Sequence, residues 1–386
     1  ISWPSLGLAA PMALQRLAVS PCRAAGPDLS PLKRFVGVRY SNSRLVSSNH
    51  VPQPFRRLRR AHALSESKKC TSRCGQHTSA SSSTIASLQA NVFHMLAFGQ
   101  RVAGSESPGH QSMRRHIIEH FQRLNWEIET SSHTQETVLG RRTFYNLIAI
   151  HRCAGRRPGP ILAHDSCPRS NPSPSPMCLV LGAHYDSKFF PDFDFCGAID
   201  SMVSVAVLLH VANQVATRPD LLHRDLRLVF FDGEEAFMDW SPHDSLYGSR
   251  HLAKKWAADG TICTIDLLMV LDLLGGPSPR IRSCIADTDH HFLTLMQLEK
   301  VLRESGDLIT TKRIFWAGRG AAVDDDHSPF QARNVPSLLV IPQPFPQVWH
   351  TQHDTADHVD WAVSADLANI ITAFVLHFLR QPPSNT

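Results

Sequence analysis

Apolar residues recur along this chain in two rhythms. In "STIASLQANVFHMLAF", Ile85, Leu88, Val92 and Leu96 fall three and four residues apart, which predicts a helix with one buried face. The same spacing recurs in "SMRRHIIEHFQRLNW", through Ile117, Ile118, Phe121 and Leu124. Further on, the apolar positions stop alternating and become continuous: "MCLVLGA" (Met177–Ala183), "LRLVFF" (Leu226–Phe231), "LLMVLDLL" (Leu267–Leu274) and "PSLLVI" (Pro336–Ile341). Continuous apolar runs of this length predict strands covered on both faces. "TFYNLIAIH" (Thr143–His151) predicts one more strand, and "SMVSVAVLLHVANQVA" and "ADLANIITAFVLHFL" predict long core helices.

Buried strands alternating with helices predict an α/β fold: one globular domain with a central, mostly parallel mixed sheet flanked by helices. The expected catalytic domain is 83–382. Residues 1–82, rich in Ser, Pro and Arg and ending in "HTSASSSTI", are expected to be a disordered or processed leader. "AGRRPGPILAHDSCPRSNPSPSP" (154–176) separates two strands and is expected to be a Pro-rich surface insertion.

Charge changes this picture little. The net charge is +5, but ten Lys or Arg and one acid lie within residues 1–65, so the rest of the chain is net negative. A basic leader on an acidic body, with no nucleic-acid-binding signature, argues against a nucleic-acid partner. The nine Cys are irregularly spaced, and Cys70 and Cys74 lack the second pair of a structural zinc site, so they assign no redox compartment. No run of about 18 apolar residues predicts a membrane span. From Met12 the leader bears Arg and Ser and is poor in acids, which fits a transit peptide better than a secretory signal; an unstructured or artefactual leader fits it too.

The candidate chemistry lies where the runs stop. In open α/β sheets ligands collect at the carboxyl ends of the strands. Here these ends lead into His184-Tyr185-Asp186, into Asp232-Gly233-Glu234-Glu235, and into Asp272. The loop before the last strand carries Asp324, Asp325, Asp326 and His327, the loop after it carries His350, and Asp200 opens a helix. Singly, such residues are helix caps or satisfied loop groups. Together they resemble a metal site. A catalytic zinc takes about three His, Asp or Glu ligands and keeps one position open. Asp200, Glu235 and His350 would supply that set, leaving Glu234 free to handle protons.

The strings "HYDS", "GAIDS", "FFDGEEA", "DLLG", "DDHSPF" and "VWHT", in this order, resemble the zinc-dependent aminopeptidase-like α/β hydrolases. "DGEEAF", "DWSP", "DSLYGSRHLA" and "IPQPFPQVWHT" resemble more narrowly the glutaminyl cyclases. The resemblance spans about residues 84–382 and includes "GQRVAGSESPGH". It implies one zinc per chain, held by Asp200, Glu235 and His350, with Glu234 as general acid and base. It implies a hydrogen-bonded acidic pair of Asp272 and Asp325 beside Glu234, and a pocket lined by Trp240, Phe345 and Trp349. The substrates would be peptides or proteins with N-terminal Gln (Glu more slowly), closed to pyroglutamate with loss of ammonia. A monomer is expected, in the secretory pathway, although the Arg-rich leader points to mitochondria. His184 and Asp272 match positions that hold a second metal in the aminopeptidases, so a second metal stays open.

Two positions depart from the family. Secreted members often have a disulfide whose places here hold Ala183 and, around Val205, no Cys; and Leu339 stands where members often carry His. An aminopeptidase of the same fold is the main alternative, against which the long loop carrying Trp240 speaks. A non-catalytic binding domain is the other, against which the intact acid set speaks.

Overall fold

The computed structural model describes residues 73–153, 177–218 and 222–381. Most of the expected leader, and the whole insertion expected at 154–176, lie outside the described residues. From Arg73 onward the chain forms one compact unit.

It opens with α1 (Arg73–Leu96), which begins before the domain start expected at 83, and α2 (Pro108–Arg123). Of the predicted stripes, Leu88 and Val92 of α1 and Ile117 and Phe121 of α2 are buried, joined by Met95 and Met113, while Ile85, Leu96, Ile118 and Leu124 are half-buried. Pro108 follows Ser107, whose hydroxyl accepts the His110 N–H at 3.3 Å and caps α2.

Six strands form the main sheet: β1 (Glu127–Thr137), β2 (Gly140–His151), β3 (Cys178–His184), β4 (Asp225–Phe231), β5 (Ile265–Leu271) and β8 (Ser337–Val340). Their order is β1-β2-β4-β3-β5-β8. The β1–β2 and β2–β4 pairs are antiparallel; β4–β3, β3–β5 and β5–β8 are parallel. Every residue of β3 and β4 is buried, as apolar runs covered on both faces require, and the charged Asp225 and Arg227 of β4 are buried with them. The strand β1, "EIETSSHTQET", has no such signal, and only Ser131 of it is buried. It is an edge strand whose place is set by backbone pairing with β2 over its full length. A separate two-stranded pair joins β6 (Ile281–Ser283) and β7 (Phe315–Arg319).

The remaining helices are α3 (Val203–Ala216), α4 (Tyr247–Ala258), α5 (Asp289–Ser305), α6 (Ser328–Gln331) and α7 (Trp361–Leu379). One core joins Val180, Val229, Phe231, Leu268, Val270 and Leu339 of the sheet to Leu252 and Trp256 of α4 and Phe330 of α6. On the opposite side α3 and α7 pack on β3 and on each other, with α1 against both. The stretches Ala198–Ala216 and Trp361–Leu379 are long and apolar enough to cross a membrane, but 89% and 72% of those windows are buried inside the fold. They are core helices covering the sheet.

Candidate active site and metal centre

The parallel strands β4, β3 and β5 end side by side, and the order of connection reverses at β3. A crevice at their carboxyl ends is where such a sheet leaves room for chemistry. His184 is the last residue of β3, Asp232 follows β4 and Asp272 follows β5 directly.

The Glu pair sits on a turn that depends on glycine. Gly233 has φ 73°, and a Cβ there would meet the Phe144 ring at 2.6 Å. The turn is held on both sides. Asp232 meets His110 Nε2 at 2.9 Å and accepts the Tyr145 N–H at 2.8 Å. Asp186, fully buried, accepts the N–H groups of Glu234 and Glu235, each at 3.3 Å. The loop beyond folds back on Asp244, which accepts the N–H groups of Phe237 and Met238 at 2.9 and 2.8 Å and the Tyr247 hydroxyl at 2.8 Å. This hold lifts Trp240 into solvent, where its indole N–H donates to Asp324 Oδ2 at 3.3 Å.

Two groups of possible metal ligands meet here. Asp200, Glu235 and His350 offer donor atoms all within 4.8 Å of one another, as do His184, Asp200 and Asp272. Asp200 belongs to both: Oδ2 lies 3.3 Å from His350 Nε2, and Oδ1 lies 3.0 Å from His184 Nε2. His350 Nε2 is 3.2 Å from Glu235 Oε1, and His184 Nε2 is 3.3 Å from Asp272 Oδ1. Glu234 joins neither group. Both His184 nitrogens, Asp200 Oδ2 and Asp272 Oδ1 are buried close to opposite charge yet make no aligned hydrogen bond. Apart from the hydrogen bond between His350 Nε2 and Glu235 Oε1, these donor atoms converge without bonding one another, as ligands of a common cation do.

The electrostatics point the same way. Burial and the neighbours Glu235, Asp325 and Asp326 hold the Glu234 carboxyl well above the usual range, against the pull of His184. Burial and Asp200 raise Glu235. Burial, then Asp272 and Asp326, push Asp325 well up, and burial pushes Asp326 to about 8. Asp200 is the exception: burial raises it, but His184 and His350 outweigh burial and hold it low. Both imidazoles respond in kind. Burial disfavours the charged ring, but contacts with Asp200 and Glu235 raise His350 to about 9, and Asp186, Asp200 and Asp272 hold His184 well above its ordinary value. Such crowding of buried carboxyls asks for positive charge.

The expected pocket residues are brought to this mouth in two places. Trp349 stacks on His350 with ring centres 4.0 Å apart, and Phe345 packs edge-on to Trp349 at 5.0 Å. Trp240 stands on the Asp324 side, one residue from Asp325. Several contributors carry no assigned role in the sequence reading. Phe190 and Phe195, from "KFFPDFDF", present their rings edge-on to His350 at 6.0 and 6.1 Å. Lys188 donates to Ala236 O at 2.8 Å and lies 3.6 Å from Glu235 Oε2. The density of Phe in that stretch was the available signal. Asp186 and Asp326 stood in quoted motifs, but what they face is decided by the fold.

Comparison with known proteins places these residues in context. The sequence profile of peptidase family M28 matches residues 167–375. The glutaminyl-peptide cyclotransferase of Drosophila melanogaster is 38% identical over 295 residues, covering 72% of this chain and 77% of that protein. The Bos taurus glutaminyl-peptide cyclotransferase is 38% identical over 303 residues, covering 71% and 78%. Among solved structures, the Macrostomum lignano glutaminyl cyclase superposes with TM-score 0.65 at 31% identity, covering 78% of this chain and 94% of that one. A leucine aminopeptidase precursor from Bacteroides thetaiotaomicron, at 18% identity and TM-score 0.62 over 77% and 97% of the two chains, shares the fold.

Proposed function

Since the chain belongs to peptidase family M28, and within it to the glutaminyl-peptide cyclotransferases, we propose that it closes the N-terminal Gln of peptides to pyroglutamate at a single zinc, releasing ammonia. The observation that carries this reading is the convergence of Asp200, Glu235 and His350 with Glu234 left outside the set. Two carboxylates and an imidazole are a suitable donor set for zinc, and a dication would release the protons that His184 and His350 otherwise hold. When bound, zinc supplies Lewis-acid polarisation of the substrate γ-carbonyl.

The protein's own residues do the rest. The bond that forms joins the substrate α-nitrogen to its γ-carbon; the bond that breaks releases the γ-nitrogen as ammonia. Attack within one residue needs no protein nucleophile, because its effective molarity is already high. Glu234, which burial holds well above the usual carboxylate range, accepts a proton from the α-amine and passes it to the departing nitrogen. Asp325, itself raised by burial and Asp272, adds to the rise at Glu234. Trp240, Phe345 and Trp349 give apolar walls against which the Gln side chain folds back on its own amine.

A second reading has one observation in its favour. His184, Asp200 and Asp272 form another ligand group, as a two-metal aminopeptidase would need. The relatives at 38% identity are cyclotransferases, whereas the aminopeptidase likeness at 18% speaks for fold alone. A coupled ammonia assay on Gln-peptides, with and without chelator, tests the choice. Chelator-sensitive ammonia release is the expected result; free amino acid without ammonia would overturn the cyclase reading.

A further inference from the structure

We propose that Asp354 is a positioning residue that locks the loops of Asp200 and His350 into one metal-binding unit. The inference rests on the reading of those two residues as ligands. Asp354 lies four residues beyond His350 and is 1% exposed. Its two carboxylate oxygens go to the other loop: Oδ1 accepts the Ile199 N–H at 2.7 Å and Oδ2 accepts the Asp200 N–H at 3.1 Å. Its backbone carbonyl accepts a third, the Ala198 N–H, at 3.3 Å. On its own side the Asp354 N–H donates to Thr351 O at 3.1 Å, which ties it to the residue following His350.

The Asp200 loop has no local substitute for these bonds. Gly197 enters it at φ 58°, and Asp200 and Ser201 leave helical geometry at φ/ψ of −115°/78° and −136°/35°. Helical carbonyls therefore do not serve the N–H groups of Ile199 and Asp200, and both residues are buried. Without the Asp354 carboxylate these donors would be orphaned, a cost that the loop would relieve by moving. Any such movement displaces Asp200 Oδ2, the atom 3.3 Å from His350 Nε2. Burial and Asp200 raise the Asp354 carboxyl to about 7, against the pull of the Ile199 and Asp200 N–H groups and of Arg101. Arg101, also fully buried, spends its guanidinium on the carbonyls of Gly99, Tyr185 and Cys196, while its charge acts on Asp186, Asp354 and Asp200. Asp354 thus bonds the ligand loop from one side without competing for the metal-facing oxygens.

The test compares zinc affinity with metal-free stability in full-length Asp354→Ala and Asp354→Asn. Zinc dissociation constants come from competition with a chromogenic chelator; stability comes from denaturant unfolding of the chelator-stripped proteins. Removing a partner that orients a ligand weakens metal binding by about 10- to 100-fold. That loss is expected for Asp354→Ala. A smaller loss is expected for Asp354→Asn, which keeps one acceptor oxygen and turns an amide toward the other N–H. The metal-free unfolding midpoint of Asp354→Asn should stay near wild type. Should Asp354→Ala fail to fold, Asp354→Asn alone decides. Wild-type affinity in Asp354→Asn, or a loss matched by an equal loss of metal-free stability, overturns the proposal. A wild-type protein that takes up no zinc removes the ligand reading beneath it, a result distinct from either.

Discussion

The two ligand groups that share Asp200 differ in what surrounds them. His184 is walled in: its side chain is 1% exposed, it ends a central strand, and Asp186, Asp200 and Asp272 occupy its surroundings. His350 stands on a loop with left-handed φ 55°, its side chain is 22% exposed, and aromatic rings of Trp349, Phe190 and Phe195 surround it. The inner group is buried at the ends of the sheet strands. The outer group faces solvent between aromatic side chains, which is what binding a substrate requires. Asp200 couples them, so the inner residues can tune the outer centre without touching substrate.

Experiments can break or sharpen this contrast. The largest effect should come from the proposed proton carrier: Glu234→Gln should lower kcat by about 100- to 10,000-fold while zinc content stays at wild type. Near-wild-type turnover would remove Glu234 from its role. Next come the two histidines. His350→Ala should lose zinc and activity together, whereas His184→Ala should keep one equivalent of zinc by elemental analysis. Equal zinc loss in both would merge the two groups into one. Trp349→Ala should act on the mouth, raising KM for Gln-peptides about 10-fold with a smaller change in kcat, the pattern of lost substrate binding. An unchanged KM would place Trp349 outside the pocket.

The smallest effect uses a histidine with no carboxylate beside it. Burial alone lowers His210, on α3, to about 4, opposite to the rise at His350. A His kept neutral in the fold contributes stability that is full above its unfolded pKa near 6.5 and is lost as pH falls from there through about 4. The unfolding free energy should therefore decline below pH 6.5, by up to about 1.4 kcal/mol per pH unit for one proton. His210→Leu should flatten that decline. An unchanged slope would put the acid sensitivity elsewhere.

Much of this was legible along the chain. Strands buried on both faces announce themselves as continuous apolar runs, and β3, β4, β5 and β8 fall where those runs lie. The candidate ligands were legible because strand ends concentrate chemistry and because "GEEA" and "VWHT" are narrow motifs. The edge strand β1 was not, since a polar strand leaves no hydrophobic period and gains its place only from pairing. Nor was Asp354, because a carboxylate in "HTQHDT" looks like any loop acid until the N–H groups it serves, 154 and 155 residues away, are seen.

Sequence by itself determined the α/β class, the family, and which residue types stand at the ends of which strands. These follow from local pattern: burial on both faces demands apolar runs, and polar residues that break them stand out. Only the tertiary structure decided which of those carboxylates meet. Asp200 touches both groups, Glu234 joins neither, and Asp186 and Asp354 hold backbone rather than metal, because these relations depend on loops brought together across the sheet. The shifts in proton affinity belong there too. A carboxyl's preference is set by the burial and charges around it in space, so His210 and His350, alike in sequence as lone histidines, are driven in opposite directions by the fold.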